Sequence, residues 1–162
     1  MGKKKKVTAQ KAYIVKVRCE GHPALQVSPY GLNLMTSVTY LAASTNGKVL
    51  DPSHSPPEGL LEIRCPFSID GELITGLAPS AIVSRYGNKF YLSERDDGRL
   101  ALDRQSHCYE QVQGELVVCG REWCDFVVWT QQSLFVERIQ FEPDYWKSLF
   151  SLLENFFQLS VT

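Results

Sequence analysis

The sequence predicts a mixed α/β (α+β) domain, in which a mixed β-sheet is flanked by helices. Three observations predict it. Leu60 to Cys65 is an apolar strand with two opposite charges, Glu62 and Arg64, at its centre. Phe126 to Trp129 is nearly all apolar, as a strand buried on both faces would be, and a short polar turn leads from it to a second strand, Leu134 to Phe141. The helix that opens at Pro143 or Asp144 carries a wide apolar stripe, Tyr145, Leu149, Leu152 and Phe156 with Trp146, Leu153 and Phe157, expected to cover a sheet.

The remaining elements follow in chain order. Residues 1–12 read as a solvated basic tail, with a nuclear address or a phosphate-grasping arm as the functional alternatives for Lys3 to Lys6. Ala12 to Arg18 alternates loosely through Tyr13, Val15 and Val17 and is expected to open the sheet as a strand. Gly21, Pro23, Pro29 and Gly31 mark turns. Gly31 to Met35 and Val38 to Ala42 are expected as short strands joined near Thr36 and Ser37. Asp51 to Glu58 is a loop by composition and delivers the chain into the strand that Pro66 ends. Pro79 to Tyr86 suits a short helix, with Pro79 in its first turn and Gly87 at its end. Phe90 to Leu92 and Leu100 to Leu102, around Asp97 and Gly98, read as a β-hairpin. Ser106 to Cys119 is helical in spacing through Tyr109, Val112 and Leu116, and Gly120 can close it. Residues 13–162 thus form one domain, expected to lack the long N-terminal helix that would cover the second face of its sheet.

Composition bounds the function. A chain of 162 residues, 44% hydrophobic and 22% charged, fits one globular domain, and no apolar run approaches the ~18 residues of a membrane span. Met1 and Gly2 do not make a myristoylation signal, because Lys6 stands where Ser or Thr is needed. Cys19, Cys65, Cys108, Cys119 and Cys124 form no Cys-x-x-Cys pair and read as reduced thiols rather than zinc ligands. The net charge of −1 hides a split: seven of 17 basic residues lie in the first 18 positions, and the remaining 10 face 18 acids. An acidic body repels a phosphate backbone, so tight nucleic-acid binding would need a bound cation, the basic N-terminal segment or a local basic patch.

Alternation places Glu62 and Arg64 on one strand face, with Leu61, Ile63 and Cys65 on the other. Buried strand charges are paired or used. Phosphodiester cleavage with Mg²⁺ or Mn²⁺ needs hard oxygen ligands and a cationic group near the attacking water. A carboxylate at Glu62, the backbone carbonyl of Ile63 and a side-chain oxygen from the polar turn at Asn46 would supply such ligands. Arg64 would supply the positive charge. Asn46 brings no negative charge, however, and Arg64 stays protonated and cannot act as a base. Asp51, His54 and Glu58 remain possible substitute ligands. Gln111 and Gln113, about 200° apart on their helix, cannot both face this strand.

Larger blocks carry a resemblance. Gly59 to Ser68 resembles the "GLLEIKCPYS" block of the YqaJ-like viral recombinase family, relatives of the lambda-type phage exonuclease. Leu41 to Gly47 is similar to its "LGASPDG", and Tyr109 to Gly114 and Trp123 to Thr130 to its "YxQVQ" and "WxDFVVWT" segments. The resemblance implies a restriction-endonuclease-like PD-(D/E)xK fold with an inserted hairpin. It also implies Mg²⁺-dependent (or Mn²⁺-dependent) cleavage of DNA ends in recombination or repair, and a possible homo-oligomer, since ring trimers occur in the phage branch. Carried over by position, Glu62 and Ile63 would hold metal and Gln111 would lie near the scissile phosphate. Asn46 stands in place of the family Asp and Arg64 in place of its Lys. The expectation is an exonuclease domain by descent, impaired at its centre, with a non-catalytic DNA- or protein-binding module as the alternative.

Overall fold

The computed structural model describes residues 2–30, 32–34, 42–66, 79–86 and 91–161. Its centre is a five-stranded sheet in the order β1-β4-β5-β8-β9, formed by Gln26–Ser28, Gly47–Leu50, Glu58–Arg64, Trp123–Trp129 and Leu134–Gln140. β5 and β8 run parallel, with Glu62 opposite Phe126, and the other pairs are antiparallel. A parallel pair needs a crossover, and the chain between β5 and β8 supplies it. That crossover carries α2 (Pro79–Tyr86), the hairpin β6 (Leu92–Glu94) and β7 (Leu100–Leu102), and α3 (His107–Cys119). The fold is therefore the mixed sheet flanked by helices that the sequence predicts, with its inserted hairpin.

Local signals decide the crossover elements. The Ser106 side chain caps α3 by accepting from the Tyr109 amide, and Gly120, at φ 64°, closes it in a left-handed turn. Gly98, at φ 80°, turns the hairpin. Two short strands, β2 (Leu32–Leu34) and β3 (Ala42–Ser44), pair apart from the main sheet. The expected turn near Thr36 and Ser37 and most of the expected strand Val38 to Ala42 lie outside the described residues.

The first 19 residues depart from expectation. Gly2–Cys19 is one 18-residue helix, α1, where a basic tail and an opening strand are expected. Ala9, Tyr13 and Val17 recur every four residues and are buried, whereas Val15 is 64% exposed. The apparent alternation Tyr13, Val15, Val17 is one helical stripe with an exposed residue between its members. These three side chains join Leu25, Val49, Leu61, Ile63, Trp123 and Val127 in a core on one sheet face. On the opposite face α3 packs Tyr109, Val112 and Leu116 against Leu60, Cys124, Phe126 and Val128. The face expected to lie bare is thus covered by α1.

The C-terminal helix, α4 (Pro143–Val161), also differs. Its first turns pack, Tyr145 edge-on to Tyr109 with ring centres 4.9 Å apart. Farther along, Leu152 is 67% and Phe156 72% exposed, so the stripe does not cover a sheet over its whole length. Leu152→Ser is accordingly expected to change stability by no more than about 0.5 kcal/mol in urea unfolding. A loss several times larger would mean that this face is covered in solution. No helix among the described residues is long and apolar enough to cross a membrane.

Candidate active site

β5 divides its side chains between the two cores as its alternation requires. Leu61 and Ile63 enter the α1 side, while Leu60, Glu62 and Arg64 face α3. Glu62 is 2% exposed in the interior of the strand. Its Oε1 accepts from Arg64 Nη1 at 2.9 Å, and Arg64 Nη2 donates to Gln111 Oε1 on α3. Gln111 Nε2 in turn donates to Glu115 Oε1, one turn farther along, at 3.1 Å. A chain of four side chains therefore links the central strand to α3.

The second oxygens of the two acids behave differently. Glu62 Oε2 and Glu115 Oε2 are buried and have no hydrogen-bond partner among the described residues. Burial raises the Glu62 pKa, opposed by the positive charges of Arg64 and of Lys6 on α1 and by the carboxyl group of Glu115, which lies within hydrogen-bonding reach. Burial first, and the neighbouring Glu62 second, push Glu115 up to about 8. Burial works against the charge of Arg64, but Glu62 and Cys108 more than restore it and hold the pKa above its ordinary value. Arg64 therefore remains a cation that can orient a phosphate and cannot take a proton.

The other predicted positions fall as follows. Asn46 lies beside β5: its amide donates to the Leu61 carbonyl at 3.0 Å and its Oδ1 accepts from the Ile63 amide at 2.7 Å. Asn46 is thus joined to the residues that flank Glu62 along the backbone, with its carboxamide oxygen engaged by the strand. Gln111 and Gln113 separate as their spacing requires. Gln113 is fully buried, donates to the Gln140 carbonyl and accepts from the Glu142 amide, stapling α3 to the end of β9 and to the residue before α4.

The possible substitute ligands are committed elsewhere. Asp51 bonds Ser53, His22 and Arg138, His54 sits against Trp123 with ring centres 5.1 Å apart, and Glu58 pairs with Arg121. Sequence reasoning missed Glu115 and Lys6. Glu115 was findable, because it lies four residues after Gln111 on the same helical face. Lys6 was hidden by the tail reading of residues 1–12.

A second polar cluster holds α1 to the opposite face of the sheet. Arg138 on β9 gives Nε and Nη2 to the Asp125 carboxylate at 2.8 and 3.0 Å and Nη1 to Asp51 at 2.8 Å. Tyr13 of α1 donates its hydroxyl to Asp125. The guanidinium also stacks on Trp123, 3.8 Å from the ring centre.

The fold, with this strand and helix at its centre, is that of an alkaline exonuclease. Solved structures to which it is similar include two of LHK-Exo. One, in complex with dAMP, superposes with a TM-score of 0.63 at 19% identity, covering 96% of this chain and 64% of the other. The second, the alkaline exonuclease from Laribacter hongkongensis, gives a TM-score of 0.54 at 18% identity, covering 98% and 72%. This chain therefore spans about 64% of the length of the dAMP-bound exonuclease. No family model and no curated protein matches the sequence.

Proposed function

We propose that this chain is an exonuclease-type domain that acts on DNA ends with Mg²⁺ or Mn²⁺, and that Asn46 and Arg64 slow its cleavage. The observation that carries this reading is the buried Glu62 on the central strand of an exonuclease fold, with one carboxylate oxygen lacking a hydrogen-bond partner among the described residues. An orphaned buried carboxylate oxygen is costly, and a hard cation is the partner it suits. Glu62 and the Ile63 carbonyl would hold that cation. When bound, it supplies charge stabilisation and lowers the pKa of a coordinated water. Arg64, whose side chain is 23% exposed, orients and stabilises a phosphate through its planar fork. Gln111 holds the guanidinium in place and can itself reach a phosphate oxygen. Lys6 adds positive charge beside Glu62.

The weakness of the site follows from the same residues. Asn46 contributes no charge to a cation, and Arg64 offers no proton acceptor. Purified protein is expected to release nucleotides slowly from linear duplex DNA with Mn²⁺ and to leave closed circles intact. Glu62→Gln should abolish that release. Asn46→Asp combined with Arg64→Lys should speed it on the order of tenfold, since a charged ligand and a neutralisable amine are both regained. Release that persists in Glu62→Gln or in chelator would sink the assignment.

The charge of α1 supports a second reading, a DNA-binding module without cleavage. All of its charged side chains are basic, and Lys3 and Lys4 are exposed. That reading requires salt-sensitive binding of duplex DNA that ignores metal and falls sharply in Lys3→Glu with Lys4→Glu.

A further inference from the structure

We propose that Glu115 is a second carboxylate ligand, donated by α3, to the divalent cation held at Glu62; this inference rests on the cation-dependent reading of the site. Its basis is the arrangement of four oxygens. The outer oxygen of each acid is occupied, Glu62 Oε1 by Arg64 at 2.9 Å and Glu115 Oε1 by Gln111 at 3.1 Å. The remaining oxygen of each is buried and has no hydrogen-bond partner among the described residues. Glu62 and Glu115 are 2% and 3% exposed, and their carboxyl groups interact directly with each other.

Two carboxylates buried together repel and lose their hydration, so the pair needs a proton or a cation between its members. Arg64 and Lys6 bring positive charge to one acid, Glu62, while the other, Glu115, accepts from the neutral Gln111. A hard cation bound to both inner oxygens would neutralise the other and satisfy both orphaned atoms at once. Among the described residues no group of three or more His, Cys, Asp or Glu gathers, so water would complete the shell, the manner in which Mg²⁺ is usually bound.

The chain also has a reason to recruit this acid. The turn beside β5 offers the neutral Asn46, whose oxygen already accepts from the Ile63 amide. Glu115 restores from α3 the second negative charge that the turn lacks. The Gln111–Glu115 bond, within one helical face, aims its carboxylate back toward the strand.

Calorimetric titration of the full chain with Mn²⁺ tests the inference, accompanied by thermal unfolding without metal. Wild-type protein is expected to bind one Mn²⁺ per chain. Glu115→Gln should bind at least about tenfold more weakly, and Glu115→Asp should keep part of the affinity because charge count sets such sites. Unfolding of the metal-free protein should occur close to the wild-type temperature in Glu115→Gln, because glutamine keeps the size and the hydrogen-bonding groups of the side chain, so weaker binding would not be a loss of fold. If Glu115→Gln binds like wild type while Glu62→Gln does not bind, Glu115 is no ligand and the role of Glu62 stands. If neither wild type nor Glu62→Gln binds Mn²⁺, both proposals fail and the acids share a proton instead.

Discussion

Arg138→Met is expected to destabilise the protein by about 4 kcal/mol at neutral pH, the cost of leaving buried carboxylates without their cation. Asp51 and Asp125 are both essentially inaccessible to solvent, and Arg138 bridges them while stacking on Trp123. Methionine can refill much of the volume but donates no hydrogen bond, so the loss isolates the charge. The effect should depend on pH. Burial pushes the Asp51 carboxyl up, but hydrogen bonds from Ser53, Arg138 and His22 outweigh it and hold the pKa well below the usual carboxylate range. A depressed folded-state pKa contributes stability that is complete above the unfolded value of about 4 and fades as pH falls toward the folded value. Urea unfolding should therefore show a large deficit for Arg138→Met at pH 7 and a clearly smaller one at pH 3. Equal deficits at both pH values would trace the loss to packing on Trp123 rather than to charge.

Gly59→Ala is expected to cost about 3 kcal/mol, and to lower the thermal midpoint by about 10 °C, although it adds only one methyl group. A Cβ at this position would lie 2.4 to 2.5 Å from three atoms of the Trp123 ring. The indole cannot easily move aside. Its Nε1 donates to the Pro56 carbonyl at 2.8 Å, Arg138 stacks on its face, and the ring is fully buried. The glycine is required here for close approach and not for an unusual backbone angle. Thermal unfolding of the single variant checks this. A midpoint within a degree or two of wild type would mean that β5 can shift away from β8 without cost. The two substitutions share the Trp123 ring, so their effects should be non-additive when combined.

Both predictions concern the face opposite Glu62, and that separation matters for the proposed function. A variant of Arg138 or Gly59 perturbs the scaffold through α1 and Trp123, whereas Glu62, Arg64, Gln111 and Glu115 lie on the α3 side. Loss of cation binding in Glu62→Gln without loss of stability would therefore be a local effect of the site.

Much of the architecture follows from short-range signals in the sequence. The period of two along β5 put Glu62 and Arg64 on one face and Leu61 and Ile63 on the other. Ser106 and Gly120 bounded α3, and the Asp97 and Gly98 turn marked the hairpin. These succeed because a cap, a turn or an alternation is settled within a few residues. The separation of Gln111 from Gln113 follows in the same way from helical pitch alone.

What only the tertiary structure decided depends on residues far apart in the chain. Tyr13, Val15 and Val17 fit a strand locally, and the sheet beneath Ala9, Tyr13 and Val17 selects the helix. The apolar stripe of α4 promised a buried helix, but the space over the sheet that it was expected to fill is taken by α1 on one face and α3 on the other. The ion pair of Asp125 with Arg138 forms because β8 and β9 pair, and tertiary packing brings Asp51 and Tyr13 to it. The candidate site divides along the same line. Alternation within one strand picked out Glu62, but its relation to Glu115, 53 positions later, exists only because α3 packs on β5. Local periodicity determines which face a side chain takes, and only packing between elements determines what it meets there.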